Sequence, residues 1–136
     1  MNNNWHQVFV YGTLMQSANT IRSLDKFGDH AEFVACSHTE SASYTMHNLG
    51  YFPGVVLSGT DKVAGEVWRV TSEAMHELDI IEGYPDFYRR EITQTQHGQA
   101  WMYYLPDNLI GDSEIVKSNR SKASWLDLSA SASVAF

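Results

Sequence analysis

Residues 63–83, with the sequence VAGEVWRVTSEAMHELDIIEG, combine a strand pattern and a helix pattern without a break. Val63 to Val70 carries β-branched and aromatic residues, which predicts a strand. From Ser72 to Glu82 apolar residues recur at helical spacing, and a Thr-Ser pair offers the cap. Gly83 is a suitable left-handed stop. The sequence therefore predicts that a strand leads directly into a capped helix.

One acid of this helix lies among its apolar residues. On a helical wheel Glu82 falls in the stripe of Met75, Leu78 and Ile81, whereas the other three acids fall outside the stripe or at its rim. We expect desolvation and the negative end of the helix dipole to raise the pKa of Glu82, which suits proton transfer near neutral pH. The same pattern fits a glutamate that frays into solvent at the helix end, so both interpretations stay open.

Strand patterns also occur on both sides of this segment. Val8 to Tyr11 is a continuous apolar run ended by Gly12, which predicts a buried central strand. Residues 30–46 predict one bent strand or two short ones, and Asn48 to Gly54 predicts a loop folded over a pocket. Two hairpins are also predicted, one from residues 55–57 and 63–70 around 58–61, the other from residues 88–95 and 99–105.

A further helix is predicted near the N-terminus, where Ser17 can cap a segment in which Ala18, Ile21, Leu24 and Phe27 share a face. The patterns together give about six or seven strands and two helices. The strands follow one another in hairpins without repeating βα units. The predicted fold class is therefore α+β, with a mostly antiparallel sheet that could close into a barrel.

Length and composition fit one domain. With 136 residues, 43% of them hydrophobic, the chain is long enough to bury a substantial core. We expect a single domain over residues 1–136, with a core at about 7–105 and a peripheral C-terminal extension at 106–136. The periodic pattern weakens in this extension, although Trp125, Leu126 and Leu128 could dock it onto the domain.

Charge and cysteine content exclude several classes of function. The net charge of −7 argues against nucleic-acid binding, which draws most of its affinity from clustered Lys and Arg. The single cysteine, Cys36, excludes an internal disulfide and suits a reducing cytoplasm. No apolar run approaches the ~18 residues of a membrane span. We therefore expect a cytoplasmic protein that binds neither nucleic acid nor membrane.

The turn Tyr11-Gly12-Thr13-Leu14 stands where the buried strand opens into a loop. Successive backbone N–H groups at such a place can bind a carboxylate or an oxyanion, and Gly12 would permit a close approach. A strand followed by a glycine turn is common, so the pattern alone favours a plain structural turn. It is not a phosphate loop, because the glycine spacing and the following Lys are absent.

Histidine and cysteine give weaker indications. The six histidines show no paired ligand spacing, so we expect no metal site. Cys36 and His38 could form a thiol nucleophile and its base, but no third group is in place to orient them. A half-buried structural cysteine is the favoured interpretation.

Four ordered motifs resemble the γ-glutamylcyclotransferase-like family, and in particular its γ-glutamylamine cyclotransferase, AIG2-like branch. They are VFVYGTL (8–14), NLGYFPG (48–54), VAGEVW (63–68) and LDIIEGYPDFYRR (78–90). The resemblance covers roughly residues 7–105. It implies a small mixed β-barrel with flanking helices, and an enzyme of the acyltransferase or lyase type that uses neither a metal nor an organic cofactor.

The implied reaction is an intramolecular aminolysis. The free α-amine of a γ-glutamyl group attacks its own side-chain carbonyl, which closes 5-oxoproline and expels an amine or amino acid. The resemblance implies that the glutamyl head group would be bound by the turn of Tyr11, Gly12, Thr13 and Leu14. Glu82 would take a proton from the α-amine and pass one to the leaving nitrogen. Tyr88 would orient or contact the substrate. The alternative is a non-catalytic small-molecule binder of the same fold.

Overall fold

The computed structural model describes residues 5–18, 23–118 and 122–126. Its strands are β1 (Trp5–Val10), β2 (Ala31–His38), β3 (Tyr44–Asn48), β4 (Pro53–Thr71), β5 (Arg89–Thr95), β6 (Gly98–Tyr104), β7 (Glu114–Ile115) and β8 (Lys122–Ala123). Within these residues there is one complete α-helix, α1 (Ser72–Glu82), and Trp125 and Leu126 are also helical. There are three short 3-10 helices, Gln16–Ala18, Leu24–His30 and Asp107–Leu109. Residues 30–46 thus form two strands, one of the two predicted forms.

All the strands join one sheet in the order β5-β6-β1-β4-β3-β7, and β2 and β8 also pair with β4. The pairs β1–β6 and β4–β8 are parallel and the others are antiparallel. The predicted α+β class with a mixed, mostly antiparallel sheet is confirmed. The sheet does not close into a barrel. The ends of β2 and β5 meet at an isolated antiparallel bridge between Thr39 and Thr95. Backbone hydrogen bonds from Glu40 to Gln94 and from Gln96 to His38 flank this bridge, but no strand ladder forms there among the described residues.

Strand β1 is the buried central strand that the sequence predicts. It lies between β4 and β6, and Val8, Phe9 and Val10 are almost completely buried. Both edges of β1 are paired and its C-terminal half is buried, so the sheet holds the end of this strand in place. The loop from Tyr11 onward therefore starts from a fixed position.

The predicted hairpin around residues 58–61 is wrong, because β4 continues through it. In the pairing with β3, Thr45 lies opposite Val56 while Tyr44 lies opposite Asp61, so residues 57–60 form a bulge. The Thr45 hydroxyl donates to the Ser58 carbonyl at 2.7 Å, and a side chain at Gly59 would collide with the backbone of Tyr44. The turn residues thus bend one strand, whose second half pairs with β1 and β2.

Helix α1 has the predicted bounds and caps. The Thr71 hydroxyl accepts from the Ala74 backbone N–H at 3.2 Å, and Gly83 has a left-handed φ of 68°. The other predicted helix falls on residues that are only partly described, and Ile21 lies outside them. The described parts at its two ends form the 3-10 helices Gln16–Ala18 and Leu24–His30. No described helix is long and apolar enough to cross a membrane.

The segment after Pro106, expected to be peripheral, takes part in the fold as far as it is described. Strand β7 pairs with β3 and β8 pairs with β4. Val116, Ala123 and Trp125 are buried in the main hydrophobic core. The docking predicted for Trp125 is therefore observed, whereas Leu128 lies outside the described residues.

Candidate active site

A cavity of about 240 Å³ opens where β1, α1 and the loop before β4 meet. Every site residue predicted from the sequence lines it: Tyr11, Gly12, Thr13, Leu14, Glu82 and Tyr88. The other lining residues are Phe9, Val10, Phe52, Pro53, Ile81, Phe87 and Tyr103. The fold therefore brings together two motifs that are about seventy residues apart in the sequence, while the chemical role of each residue stays a prediction.

Two glycines let the loop at the end of β1 pack closely against its neighbours. A side chain at Gly12 would come within 2.8 Å of the Pro53 ring. A side chain at Gly65, on β4, would collide with the Val10 carbonyl. The close approach expected at Gly12 is thus real, but the neighbour that requires it is Pro53, which forms one wall of the cavity.

A buried carboxyl group fixes the far end of this loop. Glu66, on β4, is only 1% exposed. Its Oε1 accepts from the Gln16 backbone N–H at 2.7 Å and from the Trp68 indole N–H at 3.0 Å. Since Gln16 is two residues after Leu14, Glu66 ties the end of the Tyr11-to-Leu14 turn to the sheet. Glu66 belongs to the motif at residues 63–68, but its contact with Gln16 joins segments that are far apart in the sequence and was not predicted.

Tyr11 contributes its ring to the cavity and its hydroxyl to the backbone. The hydroxyl donates to the Tyr103 carbonyl at 2.9 Å and accepts from the Val55 N–H at 3.2 Å. Burial raises the pKa of Tyr11 well above its ordinary value, and electrostatic interactions with Tyr88 and Glu82 raise it further. Tyr11 therefore stays neutral, and it shapes the cavity instead of acting as a base.

Tyr88 is buried and joins the loop after α1 to the start of β4. Its hydroxyl donates to the Pro53 carbonyl at 2.6 Å. Its ring meets Phe87 edge to face, with centroids 5.1 Å apart, and Phe87 meets Phe52 in the same way at 6.1 Å. The predicted pocket loop at 48–54 therefore contributes Phe52 and Pro53 to the cavity, whereas Tyr51 is 92% exposed.

Glu82 is half-buried in the last turn of α1 and lines the cavity. Met75 and Leu78 are buried as the helical wheel predicts, but Ile81 is 45% exposed, so the expected apolar surroundings of Glu82 are incomplete. Because Glu82 is half-buried and belongs to the cavity lining, it does not fray into bulk solvent.

Asp79, Arg90 and Tyr103 form a hydrogen-bonded network beside the cavity that was not predicted from the sequence. The Arg90 guanidinium donates two hydrogen bonds to the Asp79 carboxyl, at 2.8 and 3.0 Å, and the Tyr103 hydroxyl donates to the same carboxyl at 2.6 Å. Asp79 is thus half-buried and paired, one turn before Glu82, although the helical wheel placed it outside the apolar stripe. The strands β5 and β6 were predicted from the sequence, but their contact with Asp79 was not.

Asp79→Asn should make the protein less stable at neutral pH and less sensitive to acid. Burial opposes ionisation of Asp79, but the hydrogen bonds from Arg90 and Tyr103 and the Arg90 charge outweigh it, so its pKa lies below the ordinary 3.8. A lowered pKa gives stability that is present above the ordinary value and lost as pH falls through the folded one. We expect a loss of about 1–3 kcal/mol at pH 7.

Urea unfolding at pH 7, 5 and 3 measures this effect. The difference in the free energy of unfolding between the parent protein and Asp79→Asn should become smaller as the pH drops from 5 to 3. Glu77→Gln is the control, since Glu77 is an exposed acid on the same helix. An equal loss of stability at pH 3 and pH 7 would show that the Asp79 charge does not act as described.

The expectation of a half-buried Cys36 is wrong, because its side chain is exposed on β2. Neither Cys36 nor His38 lines the cavity, and one ring nitrogen of His38 is hydrogen-bonded to the Thr39 carbonyl at 2.9 Å. Within residues 5–18, 23–118 and 122–126, no three His, Cys, Asp or Glu side chains are grouped as metal ligands would be. The candidate chemistry therefore lies at the cavity with Glu82.

Known proteins resemble this chain over most of its length. Residues 8–126 match the family model described as gamma-glutamyl cyclotransferase, AIG2-like. A Citrobacter rodentium protein named gamma-glutamylcyclotransferase family protein ytfP is 35% identical over 121 residues, which cover 89% of this chain and 96% of that protein. A Danio rerio protein named gamma-glutamylaminecyclotransferase C is 33% identical over 96 residues, covering 67% of this chain and 62% of that protein. The solution structure of ytfP from Escherichia coli has a TM-score of 0.63 at 26% identity and covers 90% of this chain and 98% of that one.

Proposed function

The chain belongs to the gamma-glutamyl cyclotransferase, AIG2-like family, and from that premise we propose that it converts a γ-glutamyl peptide or amine to 5-oxoproline and a free amine. The observation that carries this proposal is the shared cavity. Glu82 and the turn from Tyr11 to Leu14 line the same space, so one small substrate can touch both. A carboxyl group beside backbone donors is what proton transfer and carbonyl polarisation require.

The proposed reaction conserves protons. The substrate α-ammonium first loses a proton to water, and the α-nitrogen then attacks the side-chain carbonyl carbon, forming the lactam C–N bond. Glu82 accepts the second proton of the attacking nitrogen and donates one to the departing nitrogen as the original amide C–N bond breaks. The turn from Tyr11 to Leu14 binds the glutamyl head group and the reacting carbonyl. No external nucleophile and no cofactor enter this sequence of steps.

The main contribution of the protein would be to fold the substrate. The nucleophile and the electrophile belong to one molecule, so holding them in an attack conformation supplies the large proximity effect of an intramolecular reaction. The buried, hydrogen-bonded tyrosines make the cavity rigid enough for this task. One titratable carboxyl group is then sufficient for the proton transfers.

A panel of γ-glutamyl peptides and γ-glutamyl amines tests the proposal. Purified protein should release 5-oxoproline and the free amine in equal amounts from at least one member, as measured by mass spectrometry. The same compounds should be tested for binding by calorimetry. Binding without any 5-oxoproline would favour the alternative, a non-catalytic small-molecule binder, and absence of both would contradict the proposed substrate class.

A further inference from the structure

The cavity has a buried floor and a half-exposed mouth of different chemistry. Phe9, Tyr11, Leu14 and Tyr103 are at most 6% exposed and form the floor. At the mouth, Phe52, Ile81 and Phe87 are half-buried or exposed and together form what we call the apolar rim. Gly12, Thr13 and Glu82 also line the cavity and are half-buried, so the apolar rim is one side of the mouth, and a ligand that extends past Glu82 on that side meets apolar side chains.

The position of Glu82 determines which part of the substrate this is. If Glu82 donates a proton to the leaving nitrogen, that nitrogen lies beside its carboxyl group. Ile81 precedes Glu82 on the helix, and Phe87 is held next to the helix end because its N–H donates to the Gly83 carbonyl at 2.7 Å. The substituent on the leaving nitrogen is therefore the substrate group nearest to the apolar rim.

The size of the cavity supports the same assignment. Its volume of about 240 Å³ lies below the roughly 300–1,000 Å³ of pockets that enclose drug-sized ligands. A glutamyl group bound at the turn from Tyr11 to Leu14 would occupy much of this space. The leaving group then extends out of the floor region and rests on the rim, where its contact with Phe52, Ile81 and Phe87 stays partly open to solvent.

Charge favours an apolar leaving group over an anionic one. Among the described residues that line the cavity, Glu82 is the only acid and none is Lys, Arg or His. Each carboxylate on the leaving group would lie near Glu82 without a positive partner in this lining, in a protein with a net charge of −7. An amino-acid leaving group carries one such carboxylate and a glutamate leaving group carries two, so repulsion from Glu82 should be strongest for glutamate.

We propose that the enzyme prefers γ-glutamyl substrates whose leaving amine carries an aliphatic or aromatic substituent that packs on the apolar rim. This specificity rests on the proposed cyclotransferase function. The rim acts as a selector because burying apolar surface is favourable, whereas a charged group placed there loses solvation without gaining a partner.

Three dipeptides that share the head group test the preference. All three leaving amino acids carry one α-carboxylate, so the substrates differ only in the side chain that would meet the rim. The kcat/KM for 5-oxoproline release should be highest for γ-glutamyl-leucine, lower for γ-glutamyl-glycine and lowest for γ-glutamyl-glutamate, which adds a second carboxylate. Ile81→Ala should reduce the ratio of the leucine to the glycine substrate by about three- to tenfold, at the lower end of what a hydrophobic pocket discriminates. Phe87→Ala should reduce it further, because more apolar surface is removed.

Ile92→Ala is the matched control. Ile92 is 46% exposed, against 45% for Ile81, but it lies on β5 and does not line the cavity. The control should leave the leucine-to-glycine ratio unchanged. Ile81→Ala removes an exposed side chain, so the variant should fold normally, and its melting temperature checks this.

Binding separates this inference from the proposed function. Calorimetry with Glu82→Gln, which cannot transfer the proton, reports whether the three dipeptides bind in the same order. Preferential binding of γ-glutamyl-leucine without turnover by the parent protein would support the rim preference and refute the cyclotransferase. Turnover of all three dipeptides at equal rates, or fastest turnover of γ-glutamyl-glutamate, would overturn the rim preference alone. Absence of both binding and turnover would overturn both.

Discussion

Glu82→Gln should lower turnover by on the order of 10² to 10⁴ while substrate binding is largely kept. The carboxamide keeps the shape of the side chain in the cavity but cannot accept and return a proton. Measuring 5-oxoproline formation gives kcat and KM for parent and variant. A fall in kcat with little change in KM is the result expected for a group that acts in the transition state.

Glu77→Gln is the matched control for this experiment, because Glu77 is an exposed glutamate on the same helix and does not line the cavity. It should leave kcat and KM unchanged. The melting temperature of Glu82→Gln should be no lower than that of the parent, since an amide loses less solvation than a carboxylate beside Met75 and Leu78. A structural glutamate predicts the reverse, with activity retained and stability lost, and normal turnover by Glu82→Gln would refute the catalytic role.

Glu66→Ala should destabilise the fold by about 2–4 kcal/mol, because two N–H donors lose their shared acceptor. These donors are the Gln16 backbone and the indole of Trp68, which is 2% exposed. Gln16 is two residues after the turn from Tyr11 to Leu14, so losing this bond should also loosen the turn and raise KM for a γ-glutamyl substrate. Urea unfolding and steady-state kinetics measure the two effects.

Conservative variants distinguish a lost acceptor from a lost charge. Glu66→Gln keeps an oxygen that can accept from both donors, so it should retain most of the stability and most of the affinity for substrate. Trp68→Phe removes the indole donor but leaves the bond to Gln16, so it should lower stability with a smaller effect on KM. If Glu66→Ala were as stable as the parent and bound substrate equally well, Glu66 would not hold the turn.

Local chemistry determined the elements that the sequence predicted well. Helix α1 has the predicted ends because its cap, its apolar spacing and the left-handed Gly83 all lie within one short segment. Strand β1 was predicted as central because a continuous apolar run is stable only when both faces are covered. The candidate residues Tyr11 to Leu14, Glu82 and Tyr88 came from ordered motifs, and all of them line one cavity.

Contacts between segments that are distant in the sequence decided the features that were not predicted. Residues 58–61 have the composition of a hairpin turn, yet they bulge within β4 because its two halves pair with different partners, β3 on one side and β1 and β2 on the other. Asp79 has no visible partner in the helix sequence, because Arg90 and Tyr103 reach it from β5 and β6. Hydrogen-bond partners and exposure depend on the packing of separate elements, which periodicity within one element does not encode. The sequence by itself therefore determined the helix, the central strand and the candidate residues. Only the tertiary structure decided the course of β4, the ion pair between Asp79 and Arg90 beside the cavity, and the apolar rim.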